Sequence, residues 1–277
     1  MQDTAIVWTE KTWNPATGCT VVSAECKHCY ALRIAEPKRG TPAFPNGFDI
    51  TLREHKLREP FKIKEPSLIF VNSMSDLFHV EISDDYRDRV VDVIRQTPQH
   101  QYQTLTKRPD NAARYWSTRK VPSNLWMGTT IGHQSSVHRL EHLKKIDAEI
   151  RFVSAEPLLG VVDFGDLSGI HWVIGGGESG SHLFNGPDAE ARSMARYNRT
   201  LHKWEPREDR APWARALRDQ CNAQGVAFFW KQWGGRMGHD AGRILDGRTW
   251  DEFPREPPSG WRTDLVRKPQ PSLPVIQ

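Results

Sequence analysis

Six short β-rich runs recur along the chain, each ending in a cluster of polar, Gly or Pro residues: SLIFVN (67–72), QYQTLT (101–106), NLWMGTT (124–130), IRFVS (150–154), HWVIG (171–175) and VAFFWK (226–231). Runs of this length, bounded in this way, read as buried strands, and a seventh is expected near 5–8 or 20–22. Between several of them the apolar residues fall at helical spacing: 84–96 with Val90, Val91, Val93 and Ile94; 134–146 with Val137, Leu140, Leu143 and Ile146; and 213–223 with Ala216, Leu217 and Cys221. Ser83 ahead of Asp84 and Asp85 supplies an N-cap and an acidic first turn. Alternation of strand and helix calls for right-handed crossovers and a parallel sheet. The expected fold is therefore α/β, a partial (β/α) barrel of about six or seven parallel strands, with a doubly wound open sheet as the competing architecture.

The 277 residues suit one main unit over 1–253, and 11 Trp with 11 Phe supply a sizeable core although only 38% of the chain is hydrophobic. Two stretches break the alternation. Residues 181–210 form a polar, Arg-rich insertion, and 254–277, with six prolines, read as an extended tail. The apolar runs are too short to span a bilayer, and the N-terminus lacks a charged-then-apolar leader, so a cytoplasmic protein without a membrane partner is expected. A net charge of +4 favours polyanions, DNA or RNA, without requiring them.

Four cysteines in a chain this long do not make a disulfide scaffold. Three of them, Cys19, Cys26 and Cys29, form the pattern C-x6-C-x2-C, with Tyr30 next in the chain. Three thiolates on one loop can hold three corners of a 4Fe-4S cluster and leave the fourth iron open. An open iron chelates the amino and carboxylate groups of S-adenosylmethionine, and electron transfer then yields a 5′-deoxyadenosyl radical. The alternative metal is zinc, with His28 or the distant Cys221 as fourth ligand. Cys221, on the apolar face of its helix, also reads as a small core residue.

The stretches TWNPATGCTVVSAECKHCYA (12–31), NGFDITL (46–52), FVNSMSDLFH (70–79), LTKRP (105–109), SAEPLLG (154–160), GGGESG (175–180) and FFWKQWGG (228–235) together resemble the phage-associated three-cysteine-motif family of phages and mobile elements. The resemblance covers most of 5–253. That family is similar to the radical S-adenosylmethionine superfamily, which includes spore photoproduct lyase, and this likeness implies the partial barrel, the cluster and the cofactor. The mobile-element setting also implies a protein partner from the same element. The chain has three more residues between its first two cysteines than the superfamily's C-x3-C-x2-C, and Ala155 where the family often carries Cys.

Polar strings follow the strands, on the face where an α/β barrel does its chemistry. Ser75, Asp76 and His79 follow the first run, Lys107 and Arg108 the second, Glu156 the fourth, and Lys231, Gln232 and Trp233 close the last. Gly176, Gly177, Glu178 and Ser179 are expected at the cofactor, the glycines admitting close backbone approach and Glu178 taking the amino group. Tyr30, Ser75 and Asp76 join that group. His79, Lys107, Arg108, Glu156, Lys231, Gln232 and Trp233 are candidates for catalysis or substrate binding. The bland readings are a solvated glycine turn, an N-cap at Asp76 and a solvated turn before Pro109. Arg192, Arg196, Arg199 and Lys203, with aromatic residues interleaved, suit nucleic-acid contact, or else a solvated face. The expected protein is a radical S-adenosylmethionine enzyme, served by an external electron donor and acting on a nucleic acid or a nucleotide-like substrate. The alternative is a metal-stapled binding module.

Overall fold

The computed structural model describes residues 1–183 and 187–255. In chain order the strands are β1 (Gln2–Asp3), β2 (Lys11–Trp13), β3 (Ala16–Thr17), β4 (Thr51–Leu52), β5 (Leu68–Val71), β6 (Gln101–Thr106), β7 (Leu125–Thr130), β8 (Arg151–Ala155), β9 (Trp172–Gly176), β10 (Ala195–Asn198), β11 (Lys203–Pro206) and β12 (Ala227–Gln232). The α-helices are α1 (Tyr30–Ala35), α2 (Asp84–Gln96), α3 (Pro109–Trp116), α4 (Arg139–Lys144), α5 (Pro187–Arg192) and α6 (Ala211–Ala223). The main sheet runs β1-β2-β5-β6-β7-β8-β9-β12. Every neighbouring pair from β2 to β12 is parallel, while β1 adds an antiparallel edge. The order never reverses, so right-handed crossovers put the helices on one face; a doubly wound sheet would reverse and carry helices on both.

Period-two alternation divides the strand residues between two layers. Ile69, Val71, Met127, Val153, Val173, Phe228 and Trp230 pack under the helices, with Val90, Leu143, Leu217 and Cys221. Leu68, Phe70, Trp126, Phe152, Trp172, Ile174 and Phe229 fill the concave side with Trp8. Trp172 is the hub of that filling, its ring 6.3 Å from Trp8, 6.1 Å from Trp126, 5.7 Å from Phe152 and 4.9 Å from Phe253. Such aromatic pairs add about 0.5–1.5 kcal/mol each beyond burial. These rings close the lower part of the barrel, leaving polar residues at the C-terminal ends of the strands.

The seventh parallel strand is β2, not 5–8 or 20–22. Trp8 instead plugs the concave side, and 20–22 belong to the cysteine loop. The helix expected over 134–146 divides into a 3-10 turn, Gln134–Ser136, and α4, because Ser135 and Ser136 favour a turn over a helix interior. The insertion holds α5 and the antiparallel hairpin β10–β11. The tail expected over 254–277 lies outside the described residues beyond Arg255. Among the described residues no helix is long and apolar enough to cross a membrane.

Candidate functional site

The cysteine loop is laid across the C-terminal ends of the strands and bolted to four of them. Its stem begins at Gly18, whose N–H donates to the Met74 carbonyl after β5 at 2.9 Å. Gly18 takes φ +93, and a Cβ there would come 2.2 Å from the Asp49 carbonyl oxygen, so glycine is required. After β6, Arg108 and Thr20 join; after β7, the Gly132 N–H donates to Glu25 Oε1 at 3.1 Å. After β9, Arg33 donates to the Ser179 carbonyl at 3.2 Å, and the rings of His28 and His182 stack at 3.9 Å. Arg192 in α5 donates to the Ala24 carbonyl at 3.1 Å. Cys19, Cys26 and Cys29 are half-buried free thiols within this frame.

Asp76, expected at the cofactor, is a buried hub. It accepts from Phe78 N–H at 3.0 Å, Thr106 Oγ1 at 2.7 Å, Lys107 N–H at 3.1 Å and Arg108 at 3.2 Å. Arg108, 7% exposed, donates to Cys19 Sγ at 3.4 Å and to the Thr20 carbonyl and hydroxyl at 3.0 and 2.8 Å. Burial and Asp76 push the Cys19 thiol above its ordinary pKa, while Arg108 pulls it back. His79 accepts the Glu81 N–H on Nδ1 at 3.2 Å, so Nε2 carries the proton toward Thr20 Oγ1 at 2.8 Å. Burial and Arg108 lower its pKa. Asp76, Arg108 and His79 therefore hold the cysteine loop, a role the sequence reading did not assign to them.

Glu178 and Arg192 likewise find each other. The Arg192 guanidinium grips both carboxylate oxygens at 2.7 Å, and both side chains are buried. Burial disfavours the charged Glu178, but Arg192 and His182 outweigh it and hold the carboxyl below its usual range. Glu178 thus already carries a cationic partner in Arg192, and Arg192 lies inside the fold on Glu178 and the Ala24 carbonyl. His28, Glu178 and His182 place ligand atoms within 4.8 Å of one another. Arg33 donates to His182 Nδ1 at 3.1 Å and Lys27 pairs with Asp188 at 2.5 Å, so the cluster is crowded with cations and acts as a latch.

Gly175, within β9, and Gly177, just past its end, meet close neighbours. A methyl on Gly177 would meet the Trp233 carbonyl oxygen at 2.1 Å and one on Gly175 the Trp230 ring at 3.0 Å, whereas Gly176 has ordinary clearance. Trp233 is buried against Trp230, its Nε1 bonded to the Ile244 carbonyl at 2.7 Å, so it belongs to the core rather than to a substrate surface. Lys231 and Glu156 pair at 2.6 Å while half-buried, and Gln232 links Glu156 at 3.2 Å to Ser179 at 3.0 Å. Tyr30 donates to the Ser73 carbonyl. Asn72 was missed by the sequence reading, and Thr130 was read only as a polar strand end: their Nδ2 and Oγ1, with Ser75 Oγ, are buried without a hydrogen-bond partner at the ends of β5 and β7. Buried polar atoms are rarely left so unless a ligand or water satisfies them.

In the β10–β11 hairpin, Arg196 and Arg199 are exposed, while Lys203 pairs with Glu205 at 3.2 Å. A cleft of about 630 Å³ beside it is lined by Arg196, Tyr197, Arg199, His202 and Arg207.

Cys19, Cys26 and Cys29 offer three thiolates on one loop, a donor set that could hold three irons of a cluster or, with a fourth ligand, a single zinc. Among the described residues, the three thiols do not form a set within 4.8 Å of one another. A cluster spreads one thiolate per iron, whereas a single zinc gathers all its ligands at about 2.0–2.3 Å. His28 groups with Glu178 and His182, not with the cysteines, and Cys221 is a core residue whose thiol burial pushes up to about 12.

A parallel partial barrel with its loops gathered over the strand ends is the α/β class to which the solved spore photoproduct lyase structures are similar. One, carrying a cysteine-to-serine substitution, matches with a TM-score of 0.55 at 13% identity over 80% of this chain and 76% of that one. A double mutant with bound AdoMet and dinucleoside spore photoproduct matches with 0.51 at 12% identity over 81% and 77%. The chain itself belongs to the DUF5131 family of proteins of unknown function, whose model matches residues 3–194 and 204–254. No curated protein matches it in sequence.

Proposed function

We propose that the chain is a radical S-adenosylmethionine-type iron–sulfur enzyme acting on nucleic acid or a nucleotide-like substrate. The observation that carries this reading is the three-cysteine loop roofing a strand-end surface where Asn72, Ser75 and Thr130 keep unpartnered polar atoms. Cys19, Cys26 and Cys29 would hold three irons, leaving the fourth for S-adenosylmethionine. When bound and reduced by an external donor, that centre supplies the electron that generates the 5′-deoxyadenosyl radical. The chain's own part is positional. Arg108, His79 and Glu25 fix the loop, the orphaned amide and hydroxyls offer hydrogen bonds to a polar cofactor, and the Lys231–Glu156 pair sets the charge of the opposite wall. The likeness to a fold that in another protein holds AdoMet and dinucleoside spore photoproduct supports the substrate class, as do Arg196 and Arg199 beside the cleft.

The test is anaerobic reconstitution followed by metal, sulfide and product analysis. Iron and sulfide with absorbance near ~400 nm, and 5′-deoxyadenosine formed from S-adenosylmethionine under reduction, are expected. Cys19→Ala, Cys26→Ala and Cys29→Ala should each abolish both. Stoichiometric zinc without iron, or a loaded cluster that never yields 5′-deoxyadenosine, would overturn the reading.

A further inference from the structure

We infer that Arg108 is a positioning residue for the iron–sulfur centre, orienting the Cys19 ligand and raising the centre's reduction potential through its fixed charge. This rests on the cluster reading above and goes beyond it, since the same side chain was a candidate for contact with substrate. One terminal nitrogen lies 3.4 Å from Cys19 Sγ and 3.2 Å from Asp76; the other donates to the Thr20 carbonyl and hydroxyl at 3.0 and 2.8 Å. Three of these four contacts go to the dipeptide Cys19–Thr20. Arg108 is 7% exposed, and its backbone N–H is held by Thr106 Oγ1 at 2.9 Å, so the fork is set by packing and not by the ligand it serves.

The physical argument is one of charge. Arginine cannot give up its proton in a protein, so a full positive charge stays beside the first thiolate whatever the pH. A cluster that accepts an electron gains negative charge over its sulfurs. Hydrogen bonds and cations near them favour the reduced form, more strongly where water is excluded. Asp76 works in the opposite direction. Its Oδ2 accepts, at 3.2 Å, from the same guanidinium nitrogen that donates to Cys19 Sγ. The two residues therefore form an opposed pair: removing either should move the potential, with opposite signs.

The experiment is an anaerobic redox titration of the full chain followed by electron paramagnetic resonance, with iron and sulfide measured for every variant. Arg108→Gln should lower the midpoint by at least a tenfold change in the one-electron equilibrium, about 59 mV. Asp76→Asn should raise it, and Arg108→Lys, which keeps the charge but not the fork, should fall between wild type and Arg108→Gln. A loaded Arg108→Gln protein with the wild-type potential, or Asp76→Asn shifting in the same direction as Arg108→Gln, would overturn the assignment. Failure of both Arg108 variants to load would also overturn it, by making Arg108 a strut alone. Iron and sulfide missing from the wild-type chain would instead fail the cluster reading, before any variant is made.

Discussion

Gly176 and Gly177 are neighbours, yet their backbones meet different surroundings. The Cβ of an alanine at 177 would collide with the Trp233 carbonyl, a backbone atom that cannot swing aside, whereas at 176 it meets the Glu156 and Lys231 side chains at 3.4 and 3.5 Å, ordinary van der Waals distances. Gly177→Ala is expected to cost about 1–3 kcal/mol in urea unfolding, as overpacking does, and Gly176→Ala no more than about 0.5. Equal costs would show that the loop relaxes at both positions. The same pair shows what was legible at this scale. Glycines after a buried strand do mark a close approach, here that of the Trp233 carbonyl just past β12, and no local pattern reveals a partner more than fifty residues away. The cysteines were legible because their chemistry limits their uses. Asp76, His79 and Arg108 were legible as polar residues at strand ends. Their bonds to Cys19 and Thr20 were not, because those depend on how a loop folds back across the barrel.

Elements were easier to read than side-chain roles. QYQTLT is β6 residue for residue, and the other five buried runs fall within a residue or so of β5, β7, β8, β9 and β12, because strands in the middle of a sheet concentrate β-branched and aromatic residues between turn signals. The edge was harder: β2 is Lys-Thr-Trp, with one apolar residue and no run to detect. Helix α3 is not among the helical segments read from the sequence, although Pro109 at its start and Asp110 in its first turn are a recognised opening. The hairpin was hidden in a polar insertion. Asn198 Oδ1 closes it by accepting from the N–H groups of Thr200 and Leu201, at 3.1 and 3.0 Å. If this element tracks a phosphate backbone, Arg196→Ala and Arg199→Ala should each reduce the salt slope of duplex binding by about 1. Binding isotherms from low to moderate salt check this, and slopes unchanged in both variants would remove the hairpin from the interface.

For the whole molecule, the barrel isolates neutral histidines as well as aromatic rings, which gives stability a defined pH dependence. His79, His100, His171 and His182 all have pKa values below the ordinary 6.5, with burial as the leading cause in each. Two have a structural reason to stay neutral. His79 Nδ1 accepts the Glu81 N–H, and His171 Nδ1 accepts the Arg151 N–H at 3.0 Å, so a proton on either nitrogen would face another donor. A base whose folded pKa is depressed binds its proton more readily when unfolded. Its contribution is complete above 6.5 and is lost as pH falls through the folded value. Glu25 and Glu178 add a second loss further down: burial opposes their charge, their hydrogen bonds and arginines prevail, and the net lowering means their contribution declines below 4.5. Between pH 7.5 and 5.5 the histidines alone should act, and the urea midpoint is expected to fall over that interval. His171→Asn offers an acceptor that cannot be protonated, so it should flatten the fall; a midpoint that holds or rises on acidification would mean these rings are already protonated, or equally exposed, in the native state.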